Sequence, residues 1–186
     1  MNKFTQRILI ANDVIMRINS GHLIPHQGSL LSLTTKHRLR CNDENSCAEL
    51  QSAVKALRSC EACANGLLLL AHIARFDSVS PFALQYQITY DNIHKESPIS
   101  KYFGSRLINE IECAYEGKVF GWHFKMSPNE IKRISAFRKS VLGVTSSVIP
   151  HNPLVYKLYL SAEDRKKMVL AIMQRIIDND GKKLIL

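Results

Sequence analysis

At 186 residues, with 46% apolar and 22% charged side chains, the chain is long enough to bury one contiguous core and too near globular averages for disorder. Its unbroken apolar runs, such as Leu67 to Ala71, fall far short of the ~18 residues that a membrane-spanning helix needs. A net charge of +9 and a pI near 9.4 attract anions, which leaves acidic proteins, nucleic acid, nucleotides and anionic membrane surfaces as partner classes.

Phe4, Ile8, Ala11, Ile15 and Ile18 recur at three- and four-residue steps and predict a helix over 4–19 that ends before Gly21. Residues 22–45 are irregular. They hold Pro25, Gly28, a Ser-Leu-Leu-Ser-Leu stretch suited to a short strand, and the basic run Lys36-His37-Arg38-Leu39-Arg40. Ser46 and Glu49 have capping-box spacing and open a helix to about Leu57. Residues 60–76 are apolar around most of a helical circumference, so this helix is expected at the centre of the core.

Between 77 and 104 the pattern weakens, with Pro81, Pro98 and Gly104 as punctuation, and helix or strand stays open there. A helix over 105–116 stops at Gly117. Ser127-Pro128-Asn129-Glu130 joins a capping hydroxyl, a proline whose missing amide costs nothing at the first position, and a returning carboxylate. That helix runs to Leu142. Pro150 and Pro153 make the next stretch an extended connector, and a last helix begins at Ser161, with Asp164 in the capping-box position, and runs to about Asn179. The expectation is a single all-α domain over 1–186, of six or seven helices around one apolar helix, with a minor short β element.

Five cysteines, Cys41, Cys47, Cys60, Cys63 and Cys113, make an odd count that suits reduced thiols, and the opening residues lack a secretion signal, so a cytoplasmic location is expected. Cys60-Glu61-Ala62-Cys63 admits three readings. A structural zinc needs four ligands, and Cys41, Cys47, Cys60 and Cys63 are the candidate set, although five residues separate the first two and no second Cys-x-x-Cys follows. Redox chemistry wants a strand before the first thiol, whereas the preceding SAVKALRS reads as helix. Close packing fits best: Cys60, Ala64 and Leu67, or Cys63, Gly66 and Leu70, fall on successive turns where small groups admit a neighbouring backbone. Gly66 inside a helix costs about 1 kcal/mol against alanine, which a close contact offsets.

Cys60-Glu61-Ala62-Cys63-Ala64-Asn65-Gly66-Leu67-Leu68 resembles the signature helix of uncharacterised small bacterial and phage- or plasmid-borne proteins. Those proteins usually show Cys-Ala-Leu/Ile-Gly-Ala-Leu, where this chain has Asn65 and Leu67. The resemblance covers about ten residues and implies an accessory or host-defence-related role but no activity.

The sequence holds no phosphate loop, dinucleotide fingerprint, nucleophile elbow or zinc-protease motif, and no cofactor is called for. His22 and His26 lie four apart, but Pro25 breaks the helical face they would share; His72, on the apolar helix, is expected as a core histidine. Basic residues are the remaining signal. Lys36, Arg38, Arg40, Lys132, Arg133, Lys139, Arg165, Lys166 and Lys167 are the candidate anion- or partner-binding set. Tyr86, Tyr90, Tyr102, Tyr115 and Trp122 are the aromatic residues available to stack on bases, though none interleaves with the cations as in a known nucleic-acid module. The function these features favour is binding to an acidic protein surface by charge-steered encounter and burial of a modest apolar patch, ahead of nucleic-acid or nucleotide binding, and third an enzyme of unrecognised family.

Overall fold

The structure, a computed structural model, describes residues 1–27, 31–33, 60–76, 99–117, 126–143 and 160–182. Helix α1 (Lys3–Asn19) starts where the Asn2 side-chain oxygen accepts the Thr5 amide at 2.9 Å. Its most deeply buried side is Arg7, Ile10, Ala11, Val14 and Ile18. The expected stripe is thus rotated slightly, and it carries an arginine at its N-terminal end.

Three short strands form one sheet in the order β1-β3-β2: β1 (Leu23–Pro25), β2 (Leu31–Leu33) and β3 (Cys60–Ala62). β1 lies parallel to β3 with Leu23 opposite Cys60, and β2 lies antiparallel to it with Leu33 opposite Cys60. This corrects the helix expected from Cys60. The first cysteine is in a strand, Cys63 follows it, and helix α2 (Ala64–Phe76) begins one residue later. Periodicity alone cannot separate three β residues from the first turn of a helix when both are apolar.

Every residue of α2 from Ala64 through Ile73 is buried, so the helix sits at the centre of the core as its composition implied. Helix α3 (Ser100–Glu116) runs antiparallel to it: Asn65 meets Ile108 and Glu112, while the His72 and Phe76 rings lie 5.5 and 6.3 Å from that of Tyr102. The α3 backbone breaks at Gly104 (φ 67°, ψ 156°), a region open essentially to glycine alone. The break frees the carbonyls of Tyr102 and Phe103, and the Arg7 guanidinium donates to both, and also to Gly181 and Lys182 after the last helix.

Helix α4 (Pro128–Leu142) carries the full capping box: the Glu130 amide donates to the Ser127 hydroxyl at 3.3 Å, and the Ser127 amide donates to the Glu130 carboxylate at 2.8 Å. These bonds hold the Glu130 carboxyl below its usual range, helped by Arg106. Helix α5 (Ala162–Asp178) starts at Ser161, whose hydroxyl takes the Asp164 amide at 3.0 Å. It packs against α1, α3 and α4, and Met168, Val169, Ile172, Met173 and Ile176 join the core.

Among the described residues there are five helices, not the six or seven expected. The helix expected over 46–57, the open stretch 77–98 and most of the connector before Ser161 lie outside the described residues. No helix among the described residues is long and apolar enough to cross a membrane.

Candidate anion-binding site

The C-terminal end of α3 is where the polar side chains of the fold gather. Gly117 ends that helix in the left-handed conformation (φ 75°), and a side chain there would lie 2.7 Å from the Arg138 guanidinium. Arg138, 4% exposed, donates to the carbonyls of Ala114 and Tyr115, so a fixed positive charge from α4 closes the negative end of the α3 dipole.

Beneath this end lies a buried polar seam. Cys63 is the N-cap of α2: its carbonyl accepts the Leu67 amide at 2.9 Å, and the amides of Asn65 and Gly66 hydrogen-bond to its sulfur. Asn65, the next polar residue, donates its amide to the Glu112 carboxylate at 2.9 Å and to the Ile108 carbonyl at 3.3 Å. Asn65 thus reaches the backbone of the facing helix, whereas Cys60, now in a strand, no longer shares helical turns with Ala64 and Leu67.

Burial pushes the Cys63 thiol far up, and the nearby carboxylates of Glu112 and Glu116 push it further. The Cys113 thiol is pushed up to about 12, also mainly by burial. Neither is a thiolate near neutrality, so the strand-then-helix setting of Cys63 does not carry the electropositive surroundings that activate a redox cysteine. Of the zinc alternative, Cys41 and Cys47 lie outside the described residues. Among the described residues no group of three or more His, Cys, Asp and Glu side chains is placed to hold a metal ion.

The helices α4 and α5 that pack beside this end are rich in cations. Arg138 and Arg165 both act on Tyr115, the first by a 2.7 Å hydrogen bond to its carbonyl and the second through its charge on the phenol. Their sequence neighbours Lys139 and Lys166 are exposed. Together α4 and α5 hold eight Lys and Arg against four carboxylates.

Several other surface cations are paired with carboxylates, while the exposed Lys3, Lys101 and Arg175 carry only cation–π contacts among the described residues. Arg75 pairs with Asp13 at 2.9 Å, Arg106 with Glu130 and Glu110, and Lys182 with Asp180 at 3.3 Å. In the first turn of α5, Glu163 lies 3.9 Å from Lys167 and Asp164 accepts from Ser161. Lys132, Lys139 and Lys166 are exposed and have no ion-pair partner among the described residues. Arg133 is also exposed, close enough to Glu110 to favour its charged form, although burial raises that carboxyl overall.

Of the nine sequence-predicted anion-binding residues, Lys36, Arg38 and Arg40 lie outside the described residues. The other six fall on α4 and α5, with Arg165 half-buried and the rest exposed. Sequence reasoning missed Arg7, Asn65, Glu112 and Arg138, which are buried. The available signal was a polar residue recurring within an apolar helical stripe. Neither a protein-family model, nor a curated protein, nor a solved structure matches this chain.

Proposed function

We propose that this chain is a binding protein that engages a polyanionic partner through the exposed cations of α4 and α5. The observation that carries the reading is the set Lys132, Lys139 and Lys166, three exposed ammonium groups on adjoining helices with no carboxylate partner among the described residues. An unpaired surface lysine keeps its field for a partner instead of spending it within the fold, and steers association at long range. The acidic-protein partner and the host-defence role suggested by the short cysteine-helix resemblance are finer readings of this same proposal.

The test is a panel of anionic probes, namely polyglutamate, duplex nucleic acid and single-stranded nucleic acid, titrated by fluorescence anisotropy at low salt. The wild type is expected to bind at least one of them, and the triple variant Lys132→Ala/Lys139→Ala/Lys166→Ala to bind it at least tenfold more weakly. Equal binding by the triple variant, or none by the wild type, overturns the proposal.

A further inference from the structure

We infer that the partner of the α4–α5 face is the phosphate backbone of a double-stranded nucleic acid, read without regard to base sequence. The inference rests on the polyanion-binding reading above and narrows it by asking what kind of anion these two helices suit.

The first argument is what the face lacks. A protein–protein interface has a fully buried apolar centre and is depleted in lysine. The large apolar residues exposed among the described residues are Met1, Met16 and Ile24, on or beside α1 and β1, and none is on α4 or α5. A lysine-rich surface with no apolar anchor has little to bury against a folded acidic protein, but it needs nothing more to meet phosphates.

The second argument is charge density. Lys132 and Lys139 stand seven residues apart on one helix, a rise of about 10.5 Å. A duplex carries one negative charge per ~1.7 Å of axis, so each ammonium group finds a phosphate whatever the register. Lysine suits this use, since it is a compact point charge with no directional fork to satisfy. Acidic side chains on a protein are sparser and would have to match the spacing.

The third argument separates duplex from single strand. Single-strand binding leans on aromatic platforms for the bases. Of the described tyrosines, Tyr115 is fully buried and Tyr102 is half-buried against His72 and Phe76. On α4 and α5 the one aromatic residue, Phe137, is buried with Arg175 over its ring, so this face offers a base no open ring.

The experiment measures affinity for labelled 20-base-pair DNA and RNA duplexes, the matching single strands and a polyglutamate peptide of equal charge, over a series of salt concentrations. Duplex affinity is expected to be independent of sequence and to fall steeply with salt. The log–log slope should shrink by roughly 0.9 for each of Lys132, Lys139 and Lys166 changed to alanine. Lys3→Ala/Lys101→Ala, at the N-terminal ends of α1 and α3, should keep the wild-type slope, and circular dichroism should show all variants folded. Binding of polyglutamate as tight as duplex, or a preference for single strands, overturns this inference and leaves the polyanion reading standing. Duplex binding whose slope the lysine variants do not change overturns the assignment to this face. Absence of binding to every probe overturns both readings.

Discussion

The Asn65 amide lies 2.9 Å from the Glu112 carboxylate, and both residues are buried between α2 and α3. The pair joins the first turn of the central helix to the C-terminal part of its antiparallel neighbour. Without the amide, a buried carboxylate loses a donor in a medium that penalises unpaired charge. Asn65→Ala is therefore expected to destabilise the protein by about 3 kcal/mol, and Glu112→Gln, which still accepts from Asn65, by about 1 kcal/mol. Urea midpoints with unchanged slopes would check both values. A loss from Asn65→Ala no larger than that from Glu112→Gln would refute the account.

Arg7 plays a comparable part at the other end of the bundle. Its guanidinium donates to four carbonyls, two before the Gly104 break and two just after α5. Burial lowers its pKa, yet it stays charged, so methionine in its place strands those carbonyls with no donor. Arg7→Met should cost about 3 kcal/mol, and Arg7→Lys nearly as much, because an ammonium cannot span the same fork. Amide exchange should accelerate first around residues 181–182. Uniform acceleration across all helices would argue against a local latch.

Cys63 offers a test between packing and capping. If the sulfur only fills space, alanine is tolerated better than serine, whose hydroxyl is harder to bury. As the N-cap of α2, however, it accepts the amides of Asn65 and Gly66, and serine is a stronger acceptor in that position. Cys63→Ser is expected to retain about 1 kcal/mol more stability than Cys63→Ala. In the wild type, the thiol, buried and held protonated, should react with a disulfide reagent only after unfolding. Fast labelling in the folded state would count against the buried cap.

Much of this could be read from the residues in advance. The Ser127 capping box, the stop at Gly117 and the buried run after Cys63 each depend on bonds within one or two helical turns, and local spacing determines such bonds. The β3 strand could not be read this way, because Cys60–Ala62 is held by pairing with Leu23–Pro25 and Leu31–Leu33, far away along the chain. The buried polar groups were hidden for the same reason. Asn65 and Glu112 are 47 positions apart, and Arg7 and Gly181 are 174 apart. The candidate cations were legible as charges. Which of them lack partners became visible only once the carboxylates had positions, as with Lys167 against Lys166.

His72 extends the argument to pH. Its ring lies 5.0 Å from that of Phe76 and 5.5 Å from that of Tyr102, and its Nδ1 is buried with no hydrogen-bond partner among the described residues. Burial lowers its pKa in the fold, because the imidazolium would leave water for aromatic walls. In the unfolded chain the ring takes up its proton near pH 6.5. Below that value the unfolded state binds more protons than the folded state, so stability present at neutral pH is lost as the pH falls through about 6.5 toward 5. The contribution of this one group cannot be steeper than about 1.4 kcal/mol per pH unit. Thermal midpoints of the wild type and of His72→Phe, compared across pH 5 to 8, isolate it. The difference between the two curves should be flat above pH 7 and should slope between 5 and 6.5. A difference that stays flat throughout would show that the ring does not resist its proton inside the fold.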